Sequence, residues 1–158
     1  MATDRNLREH LIWLLEGGAA HIKPEQALNN FPASYYGAKL GKLPHTPWQI
    51  LENMRIVQWD VLQFCLKPEH VSPKFPQGYW PQSPKPKDPA DWQLSVDKFH
   101  KDRLAMIDLA KNPEIDLLLP IPHGSGQAYI REILLAADHN SYHLGQLVLI
   151  RRILGVWP

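Results

Sequence analysis

His139 and His143 stand four residues apart in a proline-free stretch. On an α-helix that spacing puts both side chains on one face, with about 5–6 Å between Cβ atoms, so two imidazoles can converge on one ion. The same spacing also describes two unrelated histidines in a core or on a surface, so the pair is half of a site and needs a partner. Leu135, Ala136, Leu147 and Ile150 are assigned to the same face, which predicts rings that point toward an apolar interior. An unpaired ring nitrogen is costly there, and either a bound cation or ordinary hydrogen bonds would remove the cost.

His45 is the best third candidate. It lies just before a capped helix start, and Pro44 and Pro47 bracket it and restrict its backbone. The bland alternative is a turn histidine in solvent. Three neutral imidazoles would leave open positions on a cation for water or substrate, as catalytic metal sites do. Competing schemes fit less well. Asn140 stands where a zinc protease of the HExxH type needs glutamate. A di-iron bundle needs Glu-x-x-His on two helices, and Asp97-x-x-His100 is a single imperfect echo of it. The chain has neither a Walker-type phosphate loop nor a GxSxG elbow, and Gly124-Ser125-Gly126 reads as a plain turn.

The elements that position these residues follow from composition. With 158 residues and 18.2 kDa, the expectation is one domain spanning 1–158. At 44% hydrophobic and 21% charged residues, there is enough apolar material for a core. Lysine plus arginine count 17 against 16 acidic residues, which argues against a nucleic-acid partner. No apolar run approaches the roughly 18–20 residues of a membrane span, and the start of the chain lacks the pattern of a secretory signal, so a cytoplasmic location is expected. Cys65 is the single cysteine, so a metal site must use nitrogen and oxygen. Its place on an apolar stripe predicts an inert buried thiol.

Fifteen prolines mark where long helices cannot run, leaving windows at 1–23, 48–67, 90–112 and 123–157. Leu7, Leu11, Leu14 and Leu15 give the first its amphipathic period, and Pro24 to Asn30 reads as a short helix. Thr46-Pro47-Trp48-Gln49 is a capping box with proline at the first helical position. Asp88 is expected to cap a third helix from Pro89, with Leu104 among its apolar residues. The fourth follows the turn at 122–126 and stops at Gly155. Between the second and third lies Pro68 to Pro89, with seven prolines in 22 residues. Extended, it spans about 70 Å against about 30 Å for a 20-residue helix, so the helices it joins are free to run parallel. Phe75, Tyr79 and Trp80 in this crossover are expected to pack over the bundle. The fold class is all-α, a four-helix bundle. Trp13, Trp59 and Trp92 are assigned to core or interface packing, and Trp48 is a candidate wall for the pocket. Glu132 and Gln146 are exposed polar positions that could instead orient the ligands. His10, His21, His70, His100 and His123 stay outside the site.

Leu43-Pro44-His45-Thr46-Pro47-Trp48 and Ala137-Asp138-His139-Asn140-Ser141-Tyr142-His143-Leu144-Gly145-Gln146, followed by Arg151-Arg152 and Leu154-Gly155, resemble the DinB-like, or YfiT-like, metalloenzymes over most of the chain. Gly78-Tyr79-Trp80 resembles a feature of one branch. The resemblance implies an up-down-down-up four-helix bundle holding a divalent cation, often zinc or nickel, on a histidine triad that maps onto His45, His139 and His143. It also implies a small-molecule substrate, with a thiol-dependent S-transferase using a low-molecular-weight thiol, or a hydrolase, as the activity. The alternative is a non-catalytic metal-binding or structural bundle, with a homodimer as an open option. Catalytic residues beyond the ligands are not implied.

Overall fold

The computed structural model describes residues 2–157. It contains five α-helices, α1 (Ala2–Glu16), α2 (Pro24–Leu28), α3 (Pro47–Leu66), α4 (Ala90–Lys111) and α5 (Tyr129–Ile153), and no strand among the described residues. Among the described residues, no helix is long and apolar enough to cross a membrane.

Local chemistry sets each boundary. The first helix stops at Glu16, short of its proline-free window, because Gly17 and Gly18 take φ of 70° and 91°. At the start of α3, the Gln49 amide donates to Thr46 Oγ1 at 3.2 Å and the Thr46 amide donates to Gln49 Oε1 at 3.1 Å, the reciprocal box expected there. α4, the helix expected from Pro89, begins one residue later, at Ala90. Asp88 Oδ1 still accepts from the Ala90 amide at 2.8 Å, while the Asp88 amide donates to Asp91 Oδ2. A wider turn delays α5: the Ile121 amide bonds Gln127 O at 2.8 Å before the helix can start. At its far end the Gly155 amide bonds Arg152 O and the Val156 amide bonds Arg151 O, with Gly155 at φ 70°, so the last carbonyls are satisfied by a left-handed cap.

Two apolar clusters fill the interior. Leu11 and Leu15 of α1 meet Val61, Leu62 and Cys65 of α3, Met106 and Ile107 of α4, and Ile133 and Ala136 of α5. Leu28 of α2 meets Leu51 and Met54 of α3, Trp92 and Phe99 of α4, and Leu144 and Leu147 of α5. At helical positions between the clusters, Asn140 Nδ2 donates to Gln58 Oε1 at 2.8 Å and Gln58 Nε2 donates to Phe99 O at 2.6 Å. Nearby, the Ser95 hydroxyl and the Arg55 guanidinium both donate to Glu52, and these bonds hold its carboxyl below its ordinary range against the opposing effect of burial. On the other side of the molecule, Arg8 of α1 donates to Ala110 O and Arg103 of α4 donates to Leu15 O.

The crossover is stitched along α3. Its chain receives the Thr46 hydroxyl at Pro84 O (2.6 Å), Gln49 Nε2 at Pro81 O and Asn53 Nδ2 at Tyr79 O (3.0 Å). Asp60 takes two bonds from it, from His70 Nε2 at 2.6 Å and from the Tyr79 hydroxyl at 2.7 Å. Burial, reinforced by the Asp60 carboxylate, pushes the Tyr79 phenol up to about 12. Tyr79 and Trp80 therefore pack as expected, but Phe75 does not: it is 82% exposed, in the stretch between the two points, His70 and Tyr79, at which Asp60 ties the chain down. Trp13, Leu104 and Leu135 also stand exposed, off the buried faces of their helices, whereas Trp92 is buried and donates from Nε1 to Leu28 O.

Thr46→Ala removes both the cap and the donor to Pro84 O. Urea unfolding is expected to show a loss of about 1–3 kcal/mol at unchanged m, with Thr46→Ser retaining the greater part.

Candidate metal centre

α5 brings the two histidines of the spaced pair together, with ring centroids 4.5 Å apart at an interplanar angle of 64°. His143 is 5% exposed, and His139 is partly buried. One turn further along, Gln146 Oε1 accepts from His143 Nδ1 at 2.8 Å. That bond places the proton on Nδ1 and leaves Nε2 with its lone pair, the tautomer a metal ligand requires. His139 Nδ1 is buried with no hydrogen-bond partner among the described residues.

His45 reaches the same place from the loop before α3, with Trp80 of the crossover as the intermediary. The indole stacks on the His45 ring at 3.7 Å and 12°, and meets the His143 ring edge-on at 5.9 Å and 78°. Tyr142 also meets the His143 ring edge-on, at 4.9 Å. His45 is close enough that its charge would depress the basicity of His143. The three residues singled out for metal therefore lie in one neighbourhood, with an indole against the first ring. Among the described residues, no three His, Cys, Asp or Glu side chains are grouped closely enough to hold a metal ion as they stand.

The electrostatics favour neutral rings. Burial lowers the pKa of His45. Burial, with His143 adding, lowers that of His139 to about 4. His143 is lowered by burial, with the Gln146 bond opposing and His45 assisting. Neutral imidazole is the form that binds cations, and the unpartnered His139 nitrogen is an orphan that coordination would satisfy. On donor chemistry and protonation, the residues suit a borderline cation such as zinc or nickel.

Other sequence assignments change. Gln146 bonds a candidate ligand, and Glu132 is buried beside Arg131, so neither is a free polar position. The i, i+3 spacing of His143 and Gln146 carried that signal for one of them. Trp48 lies in the core with Trp92, and the indole against His45 is Trp80. His70 is bound to Asp60, His123 Nε2 donates to Phe64 O, and His21 meets Ser141. No periodicity could have paired Asp60 with His70 and Tyr79 across an extended loop. Burial, with Glu132 adding, pushes the Cys65 thiol up to about 12, as its inert assignment requires.

The pKa of His139 sets a pH dependence. Unfolded, an imidazole takes a proton near 6.5; folded, this ring resists to about 4. The folded value is the lower one, so the unfolded chain binds more protons between them. The stability of metal-free protein is then whole above about pH 6.5 and falls as pH drops toward 4, by an amount on the order of 2 kcal/mol. Urea midpoints measured with chelator present at several pH values are expected to show this fall, and His139→Gln to flatten it.

Comparison of the chain with protein-family models, with curated proteins and with solved structures returned no match.

Proposed function

We propose that this chain is a DinB-like metalloprotein in which His45, His139 and His143 hold one divalent cation, zinc or nickel, at the end of an up-down-down-up four-helix bundle. The order of helices is supported by the side-chain pairs. Glu52 with Ser95 and Gln58 with Phe99 advance together along α3 and α4, while Arg8 with Ala110 and Arg103 with Leu15 run in opposite senses along α1 and α4.

The observation that carries the metal is the buried, unpartnered Nδ1 of His139 beside His143, whose tautomer Gln146 fixes. Bound there, a cation would supply Lewis acidity, lowering the pKa of a thiol or water and so serving a thiol-dependent S-transferase or a hydrolase. The chain's own residues do the rest. Gln146 orients His143, Tyr142 and Trp80 wall that ring, and Trp80 covers one face of His45 and limits water there.

A second reading, a non-catalytic bundle, is favoured by the stacking of Trp80 on His45. The ladder of rings from His45 through Trp80 and His143 to His139 is itself a packing motif. Metal-loaded protein that takes up neither azide nor small thiols would support it.

Untagged protein loaded with zinc or nickel and then desalted is expected to retain close to one equivalent, with affinity falling at least about 100-fold in His139→Ala and His143→Ala and less in His45→Ala. Retention below about a tenth of an equivalent by wild type overturns the proposal.

A further inference from the structure

A small cleft opens beside the histidines. Leu43, Pro44, Ile50, Leu149 and Ile150 line it together with His45 and Gln146, and it encloses about 60 Å³. Its polar lining comes from residues of the candidate centre: the His45 ring, and the Gln146 side chain whose Oε1 is committed to His143. The rest is aliphatic. Ile50 and Ile150 are buried on the core side, and Leu43 and Leu149 stand half exposed at the rim. About 10–15 Å³ of such space admits one water-sized group, so the cleft accommodates roughly four or five heavy atoms. A water placed here would find few partners, so an apolar occupant is favoured.

We infer that the cleft is the specificity pocket of the candidate centre, and that it takes a short, unbranched aliphatic segment of about four carbons on a ligand whose donor head lies at the histidines. The inference rests on the proposed metal reading for the head of the ligand and on the cleft alone for its tail. Continuity decides the occupant. His45 and Gln146 each belong to both the histidine cluster and the cleft wall, so a chain leaving the cluster past them enters aliphatic surroundings at once. A charged or strongly polar tail would lose its hydration without gaining partners. Each methylene that enters contributes about fourfold in affinity, and the gain stops when the cleft is full.

The test has two arms. In the first, cobalt-loaded protein is titrated with n-alkyl hydroxamic acids of two to eight carbons, read by the visible cobalt spectrum. Affinity is expected to rise about fourfold per methylene over the first four or so carbons of the tail and then level. In Leu43→Ala/Leu149→Ala, which alters only rim side chains, the rise is expected to fall below about twofold per methylene. Affinity that is flat with chain length, in protein shown by its spectrum to hold cobalt, overturns the inference and leaves the metal reading standing. The second arm uses metal-free protein and 1-butanol, followed by methyl NMR. Saturable shifts confined to Ile50, Ile150, Leu43 and Leu149 support the pocket even where cobalt fails to bind, and their absence overturns it.

Discussion

An extended segment rich in proline has no hydrogen-bond ladder of its own, so it can be fixed only by bonding to something already rigid. Here that support is α3. Thr46, Gln49, Asn53 and Asp60 each hold a point of the crossover, and Asp60 holds two. These bonds are what turn a loop into a wall. They bring Trp80 against His45 and His143, while the length of the same segment lets α4 lie beside α3 with Glu52 facing Ser95. The aromatic floor of the candidate centre and the arrangement of the core thus share one cause.

What the candidate centre gains from its surroundings is mostly a fixed protonation state. Three imidazoles in free solution would be partly charged near neutral pH and would repel both one another and a cation. Burial lowers the basicity of each of them, and Gln146 decides which nitrogen of His143 keeps the proton. Rings prepared in this way need little reorganisation on coordination, which is the general advantage of a site built before its ligand arrives.

Much of this was legible in the residues. The capping box at Thr46 and Gln49, the proline-bounded windows and the left-handed Gly155 are local signals, and local signals are read from neighbours in sequence. The pairing of His139 with His143 is equally local, a matter of one helical turn. Less legible was everything that depends on two distant segments meeting. Phe75 and Trp80 look alike as aromatic residues in a proline-rich loop, yet one is solvated and the other packs against two histidines: Trp80 is the immediate neighbour of Tyr79, which bonds Asp60, while Phe75 lies between the two tethered residues, His70 and Tyr79. Leu135 reads as interior by periodicity, but the buried arc of α5 is centred on Ile133, Ala137, Asn140, Leu144 and Leu147 and leaves Leu135 outside it, while polar Glu132 and Asn140 lie within it.

The amide chain from Asn140 through Gln58 to the carbonyl of Phe99 has a geometric role beyond filling the middle of the bundle. Apolar side chains tolerate sliding past one another; a side-chain amide sealed from water does not, since displacement by a single turn strands its donors. It therefore acts as a vernier for α5 against α3 and α4. Asn140 directly follows His139 and precedes His143 by less than one turn, so the height at which these imidazoles meet the loop carrying His45 is tied to hydrogen bonds made on the same buried face of α5.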